Sequence, residues 1–495
     1  MNKTTIKKKH STHKNNIQYR KLRRWVLPAV LGAALSTLAI IPTLAADTQT
    51  TVNATTVTTT EQVPTPPAQI GTPPNGAPHG KPPAGQPPTA PPNGHQNGAP
   101  PADMQNGAPV GMAPQAEVDP STFTGTFVVT EDKSMAHELI TNTTPDQNAF
   151  IAKNKAVVNI ENSVFDKTGN TTSDDNSNFR GQNAVVLGID GSQINIKGSN
   201  ITSNSNGSNA VFATGEGSVI NVENTNIHTK GDSSRGLDAT YKGTVNGKNL
   251  TITTEGAHSA TLATDRGEGT ITAEAAKLTT SGAGSPVIYS TGNITANNVN
   301  GIANNSEIGV VEGKNSITLT NSNVTGYKDN GFMLYQSFSG DAESGIARLK
   351  AENNTLTTHS TGAFIYVNNT TAEVDLTGNK ILMPNTTTLV KAAADSRWGN
   401  TGENGGHLTL RASNQELSGN IVADSISTIA LDMTNGSSLV GAINTDNTAK
   451  EVTVKLSKDS SWTLTGDSYV KSLTNEDTTG SNIHLNGYKL VVADK

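Results

Sequence analysis

From Ser121 onward, the chain consists of short apolar runs separated by polar turns. The runs are rich in Val, Ile, Leu and Thr, and the segments between them are rich in Gly, Asn and Ser. Such alternation is typical of β-strands joined by tight turns. No stretch of about twelve residues has apolar positions at helical spacing. The pattern therefore predicts an all-β body.

The runs recur at a nearly fixed interval, which identifies the kind of all-β fold. Residues 184–187, 210–213 and 236–239 have similar sequences, and each unit continues with a second and a third short strand. Units of roughly 21–36 residues with three strands match one turn of a parallel β-helix. Propeller blades or sandwich domains would need longer units. We predict a single-stranded right-handed parallel β-helix over 121–495, with caps near 121–150 and 451–495.

One polar position in each unit is expected to form a column along the predicted solenoid. An asparagine stands directly before the apolar residue taken as the start of the third strand. Asparagine tolerates left-handed backbone angles and can pass amide hydrogen bonds from turn to turn. The predicted column consists of Asn200, Asn226, Asn249, Asn298 and Asn323.

The first 120 residues differ in composition from the body. Residues 1–46 hold nine basic and no acidic residues. The basic residues come first, and an apolar stretch that leads to Ala45-Ala46 follows them. This is the pattern of a secretory signal peptide, although an uncleaved membrane anchor is the alternative. Residues 47–120 contain no Leu, Phe, Tyr or Trp, and 17 of the 22 prolines lie between 64 and 120. We predict a disordered linker there, because it cannot bury enough apolar area to fold.

Charge and cysteine content exclude several classes of function. The net charge is −6, and removal of 1–46 leaves 27 basic against 42 acidic residues, or −15. A net-acidic body is a poor ligand for nucleic acid, so we expect none as partner. The absence of cysteine excludes disulfide scaffolds, thiolate metal sites and cysteine nucleophiles. After signal cleavage we expect no transmembrane domain.

Residues 150–495 resemble the right-handed parallel β-helix of bacterial surface adhesins, including autotransporter passenger domains, within the pectate-lyase-like superfold. The late segment Trp-Thr-Leu-Thr-Gly-Asp-Ser-Tyr-Val at 462–470 carries part of the resemblance. The pattern ends at Lys495 without the membrane β-barrel of an autotransporter, so we expect no self-secretion. The resemblance implies a secreted or cell-surface protein that binds extracellular glycan or host matrix protein without catalysis. The alternative is a polysaccharide lyase or glycoside hydrolase on the same fold.

The alternative enzyme would need clustered ionisable groups on one strand face. Asp238 is the exceptional member of an otherwise apolar column that we align as Val186, Phe212, Asp238, Leu262, Ile288, Val311, Met333 and Ile365. Arg235 precedes it, and Asp265, Arg266 and Glu268 follow one turn later. These five are the candidate catalytic residues. The competing interpretation is a salt-linked patch on the surface beside a turn.

Two patterns raise the question of calcium, the one cofactor that the sequence leaves open. Asp174, Asn176 and Asn178 alternate as in a calcium loop, but the glycine and glutamate of such a loop are missing, so an ordinary polar insertion is the alternative. The turn residues Asp190, Glu216, Lys242 and Glu268 would stack along one edge. Acidic members of that column could bind a cation, or could simply be solvated.

Aromatic side chains concentrate between residues 289 and 398 and provide candidates for sugar stacking. We place Phe332 and Phe364 in the core, because they align with apolar strand positions. Tyr335, Tyr366 and Trp398 are the candidates for an exposed, glycan-binding surface. Internal stacking within wider turns is the alternative for these residues.

Overall fold

Each short strand hydrogen-bonds to the equivalent strands of the turns before and after it, and this stacking builds the fold. The structure is a computed structural model that describes residues 119–493. It shows a parallel β-solenoid of about 15 turns, which confirms the predicted all-β right-handed parallel β-helix. The predicted signal peptide and all but the last two residues of the predicted linker lie outside the described residues.

The elements in chain order are as follows. A 3₁₀ turn (Pro120–Thr122) precedes strand β1, and helix α1 (Asp174–Arg180) lies between β6 and β7. Strands β1 to β21 are Gly125–Val129, Lys133–Ala136, Leu139–Asn142, Asn148–Ala152, Val157–Glu161, Val164–Thr168, Val186–Gly188, Gln193–Lys197, Asn200–Asn204, Val211–Thr214, Val219–Glu223, Asn226–Thr229, Leu237–Thr240, Thr244–Lys248, Thr251–Thr254, Leu262–Thr264, Thr270–Glu274, Lys277–Thr280, Ile288–Ser290, Asn293–Asn297 and Asn300–Ala303. Strands β22 to β42 are Gly309–Glu312, Ser316–Thr320, Asn323–Gly326, Phe332–Tyr335, Ile346–Glu352, Thr355–Thr358, Ala363–Asn368, Thr370–Thr377, Lys380–Leu382, Thr388–Ala392, Gly406–Ser413, Glu416–Ser418, Ile421–Ala423, Thr428–Thr434, Ser438–Val440, Glu451–Leu456, Ser461–Thr463, Ser468–Val470, Ser472–Asn475, Ile483–His484 and Leu490–Val492.

Three long parallel sheets run along the solenoid. Sheet A has 12 strands and begins with β1, β4 and β7; sheet B has 14 and begins with β2, β5 and β8; sheet C has 10 and begins with β3, β6 and β9. Near the carboxy-terminal end, a four-stranded sheet (β33, β36, β38, β41) and a two-stranded sheet (β39, β42) complete the stack. From β1 to β30, each turn thus contributes one strand to each of the three sheets.

The core is a continuous column of stacked apolar side chains inside the three sheets. In sheet B, buried and solvent-facing residues alternate, as in β5 and β8. Stacked pairs such as Val211 and Leu237 in sheet A, or Ile227 and Ile252 in sheet C, repeat from turn to turn. The predicted core positions of Phe332 and Phe364 are confirmed, since both side chains are buried.

The turn between sheets B and C corrects the predicted asparagine column. The left-handed turn position is occupied by Asn224, Asn249 and Asn298, among others. Asn200 and Asn226 instead pair with each other at the start of sheet C strands, two residues further along. The predicted single column was wrong because the buried residues after Asn249 and Asn298 belong to the turn and not to the third strand.

The regions predicted as caps both contain strands of the stack. Residues 121–150 include β1, β2 and β3, which form a complete turn. In the carboxy-terminal region, Trp462 is fully buried within the stack and donates its indole N–H to the carbonyl oxygen of Gly441 at 2.9 Å. Tyr469 is partly buried and Tyr488 is exposed.

A column of glycines shows how tightly the turns approach one another where sheet C leads back to sheet A. A Cβ atom added to Gly231, Gly256 or Gly282 would overlap a backbone carbonyl oxygen of the preceding turn.

We expect Gly282→Ala to lower the free energy of unfolding by about 2 kcal/mol, because the stacked backbones must separate. Urea denaturation followed by circular dichroism measures this. The matched control is Ser281→Ala at the exposed neighbouring position, and equal effects of both changes would contradict the close approach.

Candidate functional site

Both faces of sheet A are covered, and the outward face carries ionisable groups. In the outward column, Phe212 pairs with Asp238, Asp238 with Ala263, and Ala263 with Tyr289. The predicted column is wrong by one residue at five of its eight positions, Val186, Leu262, Ile288, Val311 and Ile365. Because neighbouring residues in a strand face opposite sides, the correction puts Tyr289 rather than Ile288 on the face of Asp238.

Three of the five candidate catalytic residues form one buried group. An Arg235 Nη atom lies 2.9 Å from an oxygen of Asp265, and its Nε lies 3.8 Å from an oxygen of Asp238. Asp238 has 0% of its surface exposed and Asp265 has 1%. The interpretation as a surface patch is therefore wrong. Neither carboxylate accepts a side-chain hydrogen bond in good geometry, and Arg235 supplies the opposing charge for both.

The other two candidates have different partners. Arg266 donates from Nη2 and Nε to Asp341, at 2.6 and 3.2 Å, and its guanidinium lies 3.9 Å from the centre of the Phe179 ring. Glu268 pairs at 2.7 Å with Lys314 on a half-exposed turn. The structure thus places Arg266 beside the buried group and Glu268 outside it.

A further buried acid, Glu312, was not among the candidates. Its carboxylate accepts hydrogen bonds from the hydroxyls of Tyr289 and Tyr335, at 2.7 and 2.9 Å, and from the hydroxyl of Ser337. Glu312 lies two turns beyond Asp265 in the second outward column of sheet A. Only the exact strand register reveals this position of Glu312, because in the sequence the residue simply follows an apolar run. We call Arg235, Asp238, Asp265, Arg266, Glu312 and Asp341 the acid–arginine group.

Helix α1 covers one side of the acid–arginine group. The Ser173 side chain accepts the N–H of Asn176 at the start of the helix, and Gly181 ends it with a φ of 77°. Asn178 accepts a hydrogen bond from Arg235 at 2.8 Å, and Phe179 contributes the ring beneath Arg266. Residues 174–180 thus fold as a helix and not as the calcium loop considered for Asp174, Asn176 and Asn178. Within residues 119–493, no group of three or more His, Asp or Glu side chains could hold a metal ion.

The turn column also differs from the expected cation site. Lys242 lies 3.8 Å from Glu216 of the turn before it, and Lys314 lies 2.7 Å from Glu268. Two of the three acids along this edge, Glu216 and Glu268, are therefore paired with lysines. Opposite charges in adjacent turns stabilise the stack modestly, as exposed ion pairs do.

Burial shifts the pKa values of the carboxylates upward. For Asp238, burial raises the pKa well above its ordinary value and the charge of Asp265 raises it further, while Arg235 opposes both. Burial raises the pKa of Asp265 to about 6, against the opposing charge of Arg235. The pKa of Glu312 is raised by burial despite the hydrogen bonds from Ser337 and Tyr289. The group therefore retains protons at a pH where exposed carboxyls are ionised.

Two of the three aromatic candidates are buried beneath other residues. Tyr335 has 8% and Tyr366 has 6% of its surface exposed, so the expectation that they are exposed is wrong. Trp398, on the segment that follows β31, packs against Tyr335 with ring centres 5.3 Å apart. Asn404 holds that segment by donating to the carbonyl oxygens of Asp395 and Trp398, at 2.8 and 2.7 Å.

Next to these aromatic residues lies a cleft of about 550 Å³, between the segment after β25 and the segment after β31. Its lining is polar apart from a few residues and contains one ionisable side chain, Glu403. Phe338 stands at the cleft with 57% of its surface exposed. Sequence reasoning did not select it, because nothing in the local sequence distinguishes it from the buried aromatics nearby. The lining residues are Gln336, Ser337, Phe338, Ser344, Gly345, Ile346, Asn369, Thr370, Thr371, Gly399, Asn400 and Glu403.

The outward face of sheet B carries a second regular feature, an amide ladder. Asn195 donates its side-chain N–H to Asn159 at 2.9 Å, Asn221 to Asn195 at 2.8 Å, and Asn246 to Asn221 at 2.9 Å. The hydroxyl of Thr272 continues the series to Asn246 at 2.7 Å. In register, Thr295 and Thr318 extend the same column.

The buried acids predict an unusual dependence of stability on pH. The folded state holds protons that the unfolded chain, with aspartate pKa values near 3.8, releases first. Stability from Asp265 is thus complete below pH 4 and decreases as the pH rises through about 6, by about 3 kcal/mol in all. Thermal unfolding midpoints measured between pH 4 and 7.5 test this.

The matched variant is Asp238→Asn, which replaces the second buried acid by a neutral side chain of the same shape. We expect it to flatten the decrease between pH 4 and 7.5, while exposed Asp190→Asn leaves the profile unchanged. A large loss of stability in Asp238→Asn at pH 7.5, with the decrease retained, would show instead that Arg235 requires the charged form.

Comparison with protein-family models, with curated proteins and with solved structures found no match for this chain. None of the helices within residues 119–493 has the length and apolar character needed to cross a membrane. The assignment of function therefore rests on the geometry of the solenoid faces.

Proposed function

We propose that the protein is a secreted or cell-surface solenoid that binds extracellular glycan through the exposed face of sheet B, without catalysis. Host or matrix glycoproteins are included as sources of such glycan. The observation that carries the proposal is the amide ladder from Asn159 to Thr272 and its continuation to Thr318. These seven successive positions carry no charge.

The ladder has the properties of a preordered polar surface. Each amide uses one N–H to bind a neighbour, which leaves its second N–H for a ligand. The oxygens of Asn159, Asn221 and Asn246 also keep a lone pair, whereas the oxygen of Asn195 accepts from both Asn221 and Gln193. The rungs repeat at the strand spacing of about 4.8 Å. Since the side chains are already fixed, little conformational entropy is lost when a ligand binds.

The charges beside the ladder favour a neutral ligand. A parallel column alternates in sign through Glu161, Lys197, Glu223, Lys248 and Glu274. Such a column presents no patch of one sign to attract a polyanion. A repeating polymer would contact many rungs weakly, and the summed affinity would depend on the length of the ladder.

A charge placed within the ladder tests this function. We expect the full chain to be retained on at least one of insoluble cellulose, chitin or immobilised mucin, and Asn221→Arg to reduce the retained fraction about 10-fold, because the long cation breaks two ladder hydrogen bonds. Binding depletion assays at several polymer concentrations give the measurement. Thr253→Arg, at a similarly exposed position of sheet C, is the control. Retention of neither wild type nor variants on any polymer would contradict the proposal.

A polysaccharide-active enzyme is the second candidate, favoured by the acid–arginine group. Buried carboxylates with raised pKa values resemble those of general acids. Helix α1 and the segment after β25 enclose the group, however, so substrate would have to displace one of them. Incubation with pectate, alginate and xylan should then release reducing ends or unsaturated products, and Asp265→Asn should abolish the release. No release from any of these polymers would contradict this second candidate.

A further inference from the structure

We infer that the cleft beside Phe338 is a separate binding site for a neutral oligosaccharide. The inference shares its class of ligand with the proposed function, on which it rests, but it uses different residues. The cleft lies where sheets A and B meet, whereas the amide ladder ends at Thr318. Its volume falls within the roughly 300–1,000 Å³ typical of ligand sites.

The lining supplies the groups that sugars need. Phe338 offers an exposed aromatic side chain, against which the apolar face of a pyranose can stack. Amides and hydroxyls of Asn369, Asn400 and Thr371 surround it with both donors and acceptors. Because Glu403 is the single ionisable lining residue, the site repels uronates and favours neutral sugars.

One lining residue is left with an unused acceptor. Gln336 donates its side-chain N–H to the carbonyl oxygen of Ala342 at 3.2 Å, while its own Oε1 is buried without a donor. A buried acceptor without a partner costs free energy. Because this oxygen has almost no exposed surface, Gln336 supports the wall of the cleft and does not itself contact a ligand.

The walls of the cleft are fixed before any ligand binds. Asn369 lies between strands β28 and β29 and donates to the carbonyl oxygen of Gln336 at 2.7 Å, which joins this corner to the segment after β25. Gly399 has a φ of 74°, and a Cβ there would overlap the Asn369 side chain. The two walls are therefore in close contact behind the opening, and the ligand would not have to assemble them.

Calorimetric titration of the full chain tests the site, with the pentasaccharides of cellulose, chitin, mannan and starch as neutral probes and pentagalacturonate as the anionic probe. We expect binding of at least one neutral probe and weaker binding of pentagalacturonate. Phe338→Ala should weaken the neutral probe about 10-fold, and Thr371→Arg should abolish binding by filling the cleft. Tyr327→Ala, another exposed aromatic (44%), and Thr251→Arg, another exposed strand threonine, should bind as wild type.

Three results would overturn the inference: no binding of any neutral probe, preference for pentagalacturonate, or unchanged binding by both cleft variants. The ladder variant Asn221→Arg separates this inference from the proposed function. If it loses retention on polymer but still binds the pentasaccharide, both sites stand. If wild type binds the pentasaccharide and is retained on no polymer, the ladder proposal fails and the cleft remains.

Discussion

The backbone hydrogen bonds between successive turns are the constraint on which the other features depend. They place each side chain about 4.8 Å from its equivalents in the turns above and below. A column must therefore consist of side chains that tolerate their own kind at that distance. Aliphatic residues do so in the core, and asparagine does so outside, because an amide can donate to one neighbour and accept from the other. The ladder from Asn159 to Asn246 is a direct result.

Charged residues satisfy the same constraint by alternation. Glu161, Lys197, Glu223, Lys248 and Glu274 follow one another in register on sheet B. Like charges at this spacing would repel, so the alternating order fixes the register as well as the solubility of the face. In sheet A, two acids, Asp238 and Asp265, lie in neighbouring turns, so the sign of the charge does not alternate there. The structure instead buries them with Arg235 and leaves their pKa values raised.

The sequence was sufficient for the fold because the repeat depends on composition and approximate spacing. It was insufficient for the site because turns differ in length. The step from Phe212 to Asp238 is 26 residues, the next is 25, and the step from Tyr289 to Val310 is 21. An error of one residue moves a side chain to the opposite face of the sheet. Arg235, Asp238 and Asp265 could be grouped from the sequence because they lie about one turn apart. Glu312 was missed because its position depends on the exact register of two further turns.

The covered face of sheet A and the cleft are mechanically connected. The segment between β25 and β26 is held at Ser337 by Glu312 and at Asp341 by Arg266. The same segment provides Gln336 and Phe338 to the cleft. Buried charges are weak contributors to stability, since desolvation offsets much of their attraction, but in some proteins they select one arrangement over others. On this view the acid–arginine group acts by fixing the position of a loop that would otherwise be free on the surface. The aromatic residues behind it, Tyr335 and Trp398, then act as a rigid support for the cleft rather than as its binding surface.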